Sequence, residues 1–159
     1  MLTDPDKSVE MVLRGRGASL RLSIVRYQFP QITTDEYDAN WLIIQGHASI
    51  NDRSWTFRDP SLTTFEVRQL ANWLERLERG ESAEPHCDFI EPNLQFERTS
   101  DKAIRVSFAL ESAPPWAKPG ESWSEHGFEV LIDKHLKNAA GQLRSQLQAF
   151  PERGDHSPG

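Results

Sequence analysis

The sequence predicts an α+β domain, a mainly antiparallel sheet of six to eight strands with two helices packed on it. Three observations predict it. Stretches of period-two alternation follow one another with only turn residues between them. Two other stretches carry apolar residues at helical spacing. The resulting order, β-β-β-β-α-β-β-β-α, lacks the alternating helices that parallel strands need for their crossovers.

Val9, Met11 and Leu13 alternate with Glu10, Val12 and Arg14, and Gly15-Arg16-Gly17 supplies a turn. Leu20, Leu22 and Ile24 form one face of the next strand, while Val25, Tyr27 and Phe29 continue the other. Pro30 closes that strand, because proline has no N–H to give the ladder. Residues 31–38 are polar and acidic and read as a solvated loop. From about Asn40 to Ile50, Leu42, Ile44, Ala48 and Ile50 share a face with Gly46. Asn51-Asp52-Arg53 reads as a hairpin connection into Ser54–Arg58. Trp41, Trp55 and Phe57 are placed to cluster across that hairpin, at roughly 0.2–1 kcal/mol per cross-strand pair.

The first helix has the strongest local signature. Thr63 through Glu66 fits a capping box, and Leu62 with Val67 fits the hydrophobic staple around it. Leu70, Trp73, Leu74 and Leu77 follow at helical spacing, and Gly80 stands where a left-handed cap is expected, so the helix covers about 64–79. Strands are predicted at His86–Glu91, Leu94–Arg98 and Ala103–Glu111. Residues 112–123 hold three prolines, one glycine and two tryptophans and read as an irregular loop. Phe128, Val130 and Ile132 suggest either a last strand or the entry to a helix. Leu136, Ala140, Leu143, Leu147 and Phe150 make the stripe of a second helix, in which Gly141 costs about 1 kcal/mol relative to alanine. Pro151 ends it, and residues 152–159 are expected to fray. Neither a repeat nor a linker divides the chain, so one domain is expected over 1–159, ordered from about 8 to 150 and flexible at 1–7 and 152–159.

A chain of 159 residues can support its own core; area scaling puts roughly 69% of its unfolded surface out of water. The longest apolar run, Trp41-Leu42-Ile43-Ile44, is far too short to span a membrane. Asp4, Pro5 and Asp6 interrupt any secretory pattern, which predicts a cytoplasmic protein. The single cysteine, Cys87, rules out a disulfide framework. Eighteen Lys and Arg against 24 Asp and Glu give a net charge of −6 with no basic cluster. That balance disfavours direct nucleic-acid binding and suits a basic protein partner.

Sites for chemistry are scarce. His86, Cys87 and Asp88 bring a nucleophile and a base together, but neighbours in a strand point to opposite faces, so Cys87 and His86 cannot pair directly. Asp35, Glu36 and Asp38 lack the glycine and spaced ligands of a calcium loop. His126 and His135 have no partner at a recognised zinc spacing. No nucleophile elbow, P-loop, dinucleotide fingerprint or His-Glu-x-x-His occurs, so no catalytic, cofactor or metal residue is assigned. Arg153-Gly154-Asp155 spells an integrin-type tripeptide, read as coincidence in a frayed tail. Trp116 and Trp123 sit in the Pro-rich loop with Glu111, Glu121 and Glu125; they either form a site for a basic partner or fold back to plug the domain edge. The partner surface is expected to join these five residues to the acidic loop of Asp35, Glu36 and Asp38, since loops on a rigid scaffold commonly carry binding.

Asp38-Ala39-Asn40-Trp41-Leu42 resembles the Asp-x-Asn-Trp-Leu signature of the WapI-type bacterial immunity proteins. Tyr27-Gln28-Phe29-Pro30 before it, then Trp55-Thr56-Phe57 and the Thr63–Leu77 stripe after it, follow the same order of elements. The resemblance implies a small cytoplasmic α+β protein without enzymatic activity that binds and neutralises a toxin domain, possibly a nuclease, whose basic surface an acidic inhibitor would match. The alternative is a generic protein- or ligand-binding domain. A residual enzyme reading has only His86, Cys87 and Asp88 to rest on.

Overall fold

The alternating stretches fold into two antiparallel meanders. The computed structural model describes residues 9–121 and 125–154. Strands β1 (Met11–Gly15), β2 (Ala18–Tyr27), β3 (Trp41–Ile50) and β4 (Arg53–Thr63) pair in sequence order, and helix α1 (Thr64–Glu78) follows. Strands β5 (His86–Cys87), β6 (Leu94–Ser100), β7 (Ala103–Phe108) and β8 (Gly127–Leu131) make the second sheet, and helix α2 (Lys134–Ala149) ends the regular structure. Every strand pair is antiparallel. The strands therefore form two sheets of four, where the sequence suggested one. Their edges meet at Gly15, where a Cβ would run into the Glu129 carbonyl and the Phe128 ring.

Local chemistry explains most boundaries. Asn51 and Asp52 both adopt positive φ, the geometry of a two-residue hairpin turn. β4 outruns its expected end at Arg58 because the β3–β4 register shifts between Leu42 and Ile44, and Pro60 falls in that irregularity, where no ladder donor is needed. In α1 the capping box is complete: the Glu66 N–H donates to Thr63 Oγ1 and the Thr63 N–H to Glu66 Oε1. At the other end the Gly80 N–H donates to the Leu77 carbonyl and that of Glu81 to Arg76, the pattern of a Schellman motif.

Phe128 and Val130 belong to a strand, which settles the open reading there. Asp133 then caps α2 by accepting from the His135 N–H. Leu136, Ala140 and Leu143 are buried as the stripe predicts, and Leu147 and Phe150 are partly buried against the same core. Arg144 forks onto Glu75 of α1, with nitrogen–oxygen distances of 2.8 and 3.1 Å, and also reaches Asn72. Two glutamines, missed by an apolar stripe, serve the first sheet. Gln142 accepts from the Val12 N–H, and buried Gln146 accepts from Ile24 while donating to Val9 and Leu22. Gly141 faces open space. Gly141→Ala is therefore expected to stabilise the protein by about 1 kcal/mol, read as a higher urea midpoint; an unchanged or lower midpoint would contradict this.

One hydrophobic core draws on both sheets and both helices. Its aromatic centre is Phe108, with Trp55 at 5.1 Å, Phe57 at 6.0 Å and Phe128 at 6.3 Å between ring centroids. Trp41 does not join Trp55 and Phe57; it stands at the far end of β3, opposite Thr63. The cluster thus forms between the sheets rather than across one hairpin.

The segment after α2 makes side-chain contacts with the first sheet and α1. Glu152 pairs with Arg68 at 2.8 Å. Arg153 donates to the carbonyls of Phe29, Pro30 and Ala39 and lies 3.6 Å over the Tyr27 ring. Its N–H and carbonyl both bond Asn40. Each nitrogen of Arg153 thus has an oxygen partner on the loop before β3. Asp155 and the rest of the expected flexible tail lie outside the described residues.

Candidate interaction site

The topology gathers loops at one end of the molecule. β5 ends, β6 begins, β7 ends and β8 begins at the same end of the second sheet, so residues 88–93 and the segments on either side of Trp123 emerge together. In the first sheet, the loop between β2 and β3 emerges where β4 passes into α1. The first turn of α1 joins these two regions. Buried Glu66, besides closing the capping box, accepts a 2.7 Å hydrogen bond from the Ile90 N–H. Gln69, one turn on, donates to the Asp88 carbonyl. Those bonds draw 88–91 out of the sheet, so β5 stops at Cys87 instead of continuing to Glu91.

Two grooves meet along this segment. One, of about 660 Å³, is lined by Glu36, Tyr37, Phe65, Gln69 and Asp88–Ile90. The other, of about 410 Å³, runs over Asp88, Phe89, Pro92, Leu94 and Leu110. Asp88 and Phe89 line both, which makes them one strip. Tyr37, Ile90 and Leu110 stand along it 53%, 59% and 61% exposed. Leu110 also has a φ of +52°, a conformation that branched, bulky residues rarely adopt. Glu36 and Asp88 line the first groove beside these apolar side chains.

The residues expected to bind a partner have distinct places. Asp35, Glu36 and Asp38 lie on the exposed loop, where the Asp35 carboxylate accepts from the N–H groups of Tyr37 and Asp38. The loop is anchored by Asn40, fully buried, whose carboxamide donates to Glu36 and Arg153 and accepts from Thr64 and Arg153. Glu111 lies in the 3₁₀ turn Leu110–Ser112, and its Oε2 is 3.1 Å from Asn93 Nδ2. Trp116 is half-buried, edge-on to Trp55 at 5.3 Å, with the Arg53 guanidinium 4.0 Å above its ring. That ring covers the aromatic core. Glu121 bonds His126 at 2.6 Å, and this hydrogen bond holds its carboxyl below the usual range. Glu125 is exposed beside it, and Trp123 lies outside the described residues. Of the expected partner residues, Glu36 lines the first groove and Glu111 follows Leu110 of the second, with Asp88 and Phe89 common to both grooves. The strand expected over His86–Glu91 covers most of 88–92, and Glu91-Pro92-Asn93 are the turn residues that mark the segment in the sequence.

The only cysteine, Cys87, is buried. Burial pushes the Cys87 thiol up to about 12, and the Asp88 carboxylate adds to the shift. His86 points to solvent, 3.8 Å from Glu97. Among the described residues no group of three His, Cys, Asp or Glu side chains is arranged to hold a metal, and no helix is long and apolar enough to cross a membrane.

A family model described as the immunity protein WapI-like family matches residues 11–151. No curated protein and no solved structure matches the chain significantly.

Proposed function

The chain belongs to the WapI-like immunity protein family, and from that premise we propose that it binds and neutralises a cognate toxin domain in the bacterial cytoplasm. The carrying observation is the strip along 88–92, where exposed apolar side chains and carboxylates stand together at one end of the molecule. Apolar side chains framed by charge are what a specific protein interface needs: the former bury on contact, and the latter steer and select the partner. The toxin surface is basic on this reading, as a nuclease's phosphate-binding surface would be, and the inhibitor acts by covering it rather than by chemistry. Asp35, Glu36, Asp38, Glu111, Glu121 and Glu125 supply the steering charge on this reading, while Trp116, packed on Trp55 beneath Arg53 toward the β3–β4 hairpin, stands apart from the strip.

The test is co-expression with any toxin domain that a neighbouring gene encodes. Growth is expected to be restored, with a complex that survives gel filtration and an association rate that falls more than tenfold between 50 and 500 mM salt. Continued toxicity with no complex would reject the immunity reading. Neutralisation with a salt-independent association rate would reject the electrostatic part alone.

A further inference from the structure

The outer face of the first sheet gathers arginines that lie far apart in the chain. Met11, Leu13, Leu20, Leu22 and Leu42 are buried in the core, so the residues alternating with them turn away from it. On that outer face Arg14 of β1 lies opposite Ser19, Arg21 of β2 opposite His47, Arg58 of β4 opposite Gln45, and Arg26 of β2 opposite Ile43. All four arginines are exposed. With strands about 4.8 Å apart and same-face residues about 6.8 Å apart, the track from Arg14 to Arg58 runs about 20 Å diagonally across the sheet.

Their charge is left largely uncompensated. Elsewhere, Arg68, Arg79, Arg98 and Arg144 each stand against a carboxylate. On this face, among the described residues, only Arg21 does, with Glu10 at 3.8 Å. Arg58 donates from Nε and Nη2 to Gln45 Oε1, at 3.0 and 2.7 Å, and Gln45 Nε2 stands 3.2 Å from His47 Nε2. Arg26 donates to the carbonyls of Tyr27 and Gln28. Neutral partners thus orient two of the cations without cancelling them. A groove of about 380 Å³ lies in the same face, lined by Arg21 and His47 together with Ser19, Ser49, Ser54 and Thr56. Guanidinium groups and hydroxyls are the side-chain groups that commonly hold phosphate oxygens.

We propose that this face binds the phosphate backbone of a single-stranded nucleic acid. The net charge of −6 is an average over the whole chain; here folding sets four arginines beside one carboxylate, and the local sign is reversed. An acidic protein would be the other anionic partner, but a specific protein interface is built around an apolar centre. This face lacks one: among the described residues, the large apolar side chains that stand exposed, Val9, Tyr37, Ile90, Leu110 and Leu131, all lie elsewhere. Binding led by phosphate charge needs no such centre.

A sheet face cannot enter a duplex groove as a helix or a ribbon does, whereas a single strand can lie across it. Trp41 alternates with buried Leu42 and so belongs to this face, where its half-buried ring offers a base a surface to stack on at the Arg26 end. Serine and threonine hydroxyls along the groove both donate and accept, so they can serve sugar oxygens as well as phosphates.

The experiment titrates the full chain into a fluorescein-labelled oligouridylate and reads anisotropy. Saturable binding is expected at about 50 mM salt, with log affinity falling against log salt at a slope of about −2 to −3, as three or four neutralised phosphates require. An Arg21→Gln/Arg58→Gln variant should bind at least about tenfold more weakly, with a slope shallower by about 1.4. Arg21→Lys/Arg58→Lys alters the same positions but keeps the charge, and should stay within about threefold of the wild type. Arg76→Gln/Arg79→Gln removes equal charge from α1 and should bind as the wild type does. Absence of saturation, a salt-independent affinity, an equal loss in the α1 variant, or displacement of the oligouridylate by polyglutamate or phosphatidylserine vesicles at equal charge would each overturn the proposal. The growth test addresses the acidic strip and not this face, so either reading can fail without the other.

Discussion

Phe108→Ala is expected to destabilise the protein by about 4 kcal/mol, the upper part of the range for removing a buried ring. Phe108 is fully buried, and four rings depend on its position. Trp55 and Phe57 from the first sheet and Phe128 from the second pack directly on it, and Trp116 rests on Trp55. The void would open at the joint between the sheets, where Gly15 already brings the backbones as close as they can come, so collapse around it has little room. A loss of about 4 kcal/mol at a typical urea slope of about 2 kcal/mol per molar lowers the midpoint by roughly 2 M. Near-ultraviolet dichroism should weaken as well, since the tryptophans lose their fixed neighbours. A midpoint within about 0.5 M of wild type would show that the sheets do not depend on this ring.

Asn40→Ala ranks second, at about 3 kcal/mol, from four lost side-chain hydrogen bonds at about 1 kcal/mol each, less partial compensation by water. The carboxamide uses both N–H donors and both lone pairs, so no single bond can be lost alone. Asn40→Asp is expected to cost a comparable amount, because a carboxylate there would face the Glu36 and Arg153 carbonyls without donors to offer. The distinguishing measurement is local. Hydrogen exchange at residues 35–40 and 150–154 should accelerate together in both variants while β6 and β7 keep their protection. Acceleration of one segment without the other would show that Asn40 does not couple them.

What could be read from the sequence, and what could not, divides by the distance over which the determining contacts act. The capping box of α1, its Schellman end and the hairpin at Asn51-Asp52 are decided within a few residues, and each stands where the sequence placed it. The alternation in β1, β2, β3, β6 and β7 is local too, because one buried face per sheet imposes it. The failures are long-range. β5 shrank because Glu66, 24 residues before Ile90, takes a backbone donor away from the sheet. Phe108 lies more than 40 residues beyond Trp55 and Phe57, so the aromatic cluster was assigned to a single hairpin instead of to the joint between two sheets. The candidate site shows the same split. Acidic loop residues and Glu111 were recognisable as exposed charge. Asn93 was not, since a lone asparagine gains meaning only when folding sets it against Glu111.

The bond between Asn40 and Arg153 joins residues 113 apart, and this fixes when in the life of a molecule the acidic loop becomes rigid. A ribosome makes the chain from its N-terminus at about 5–20 residues per second, and hairpins such as β1–β2 and β3–β4 need only microseconds. The first meander can therefore assemble while the rest is still being translated. Its loop cannot close until Arg153 has been made, and α2, which supplies Gln142 and Gln146 to β1 and β2, also emerges after both sheets. A nascent chain thus carries the scaffold of the strip before it carries a settled strip. The acidic loop is therefore held only after Arg153 has emerged and reached Asn40.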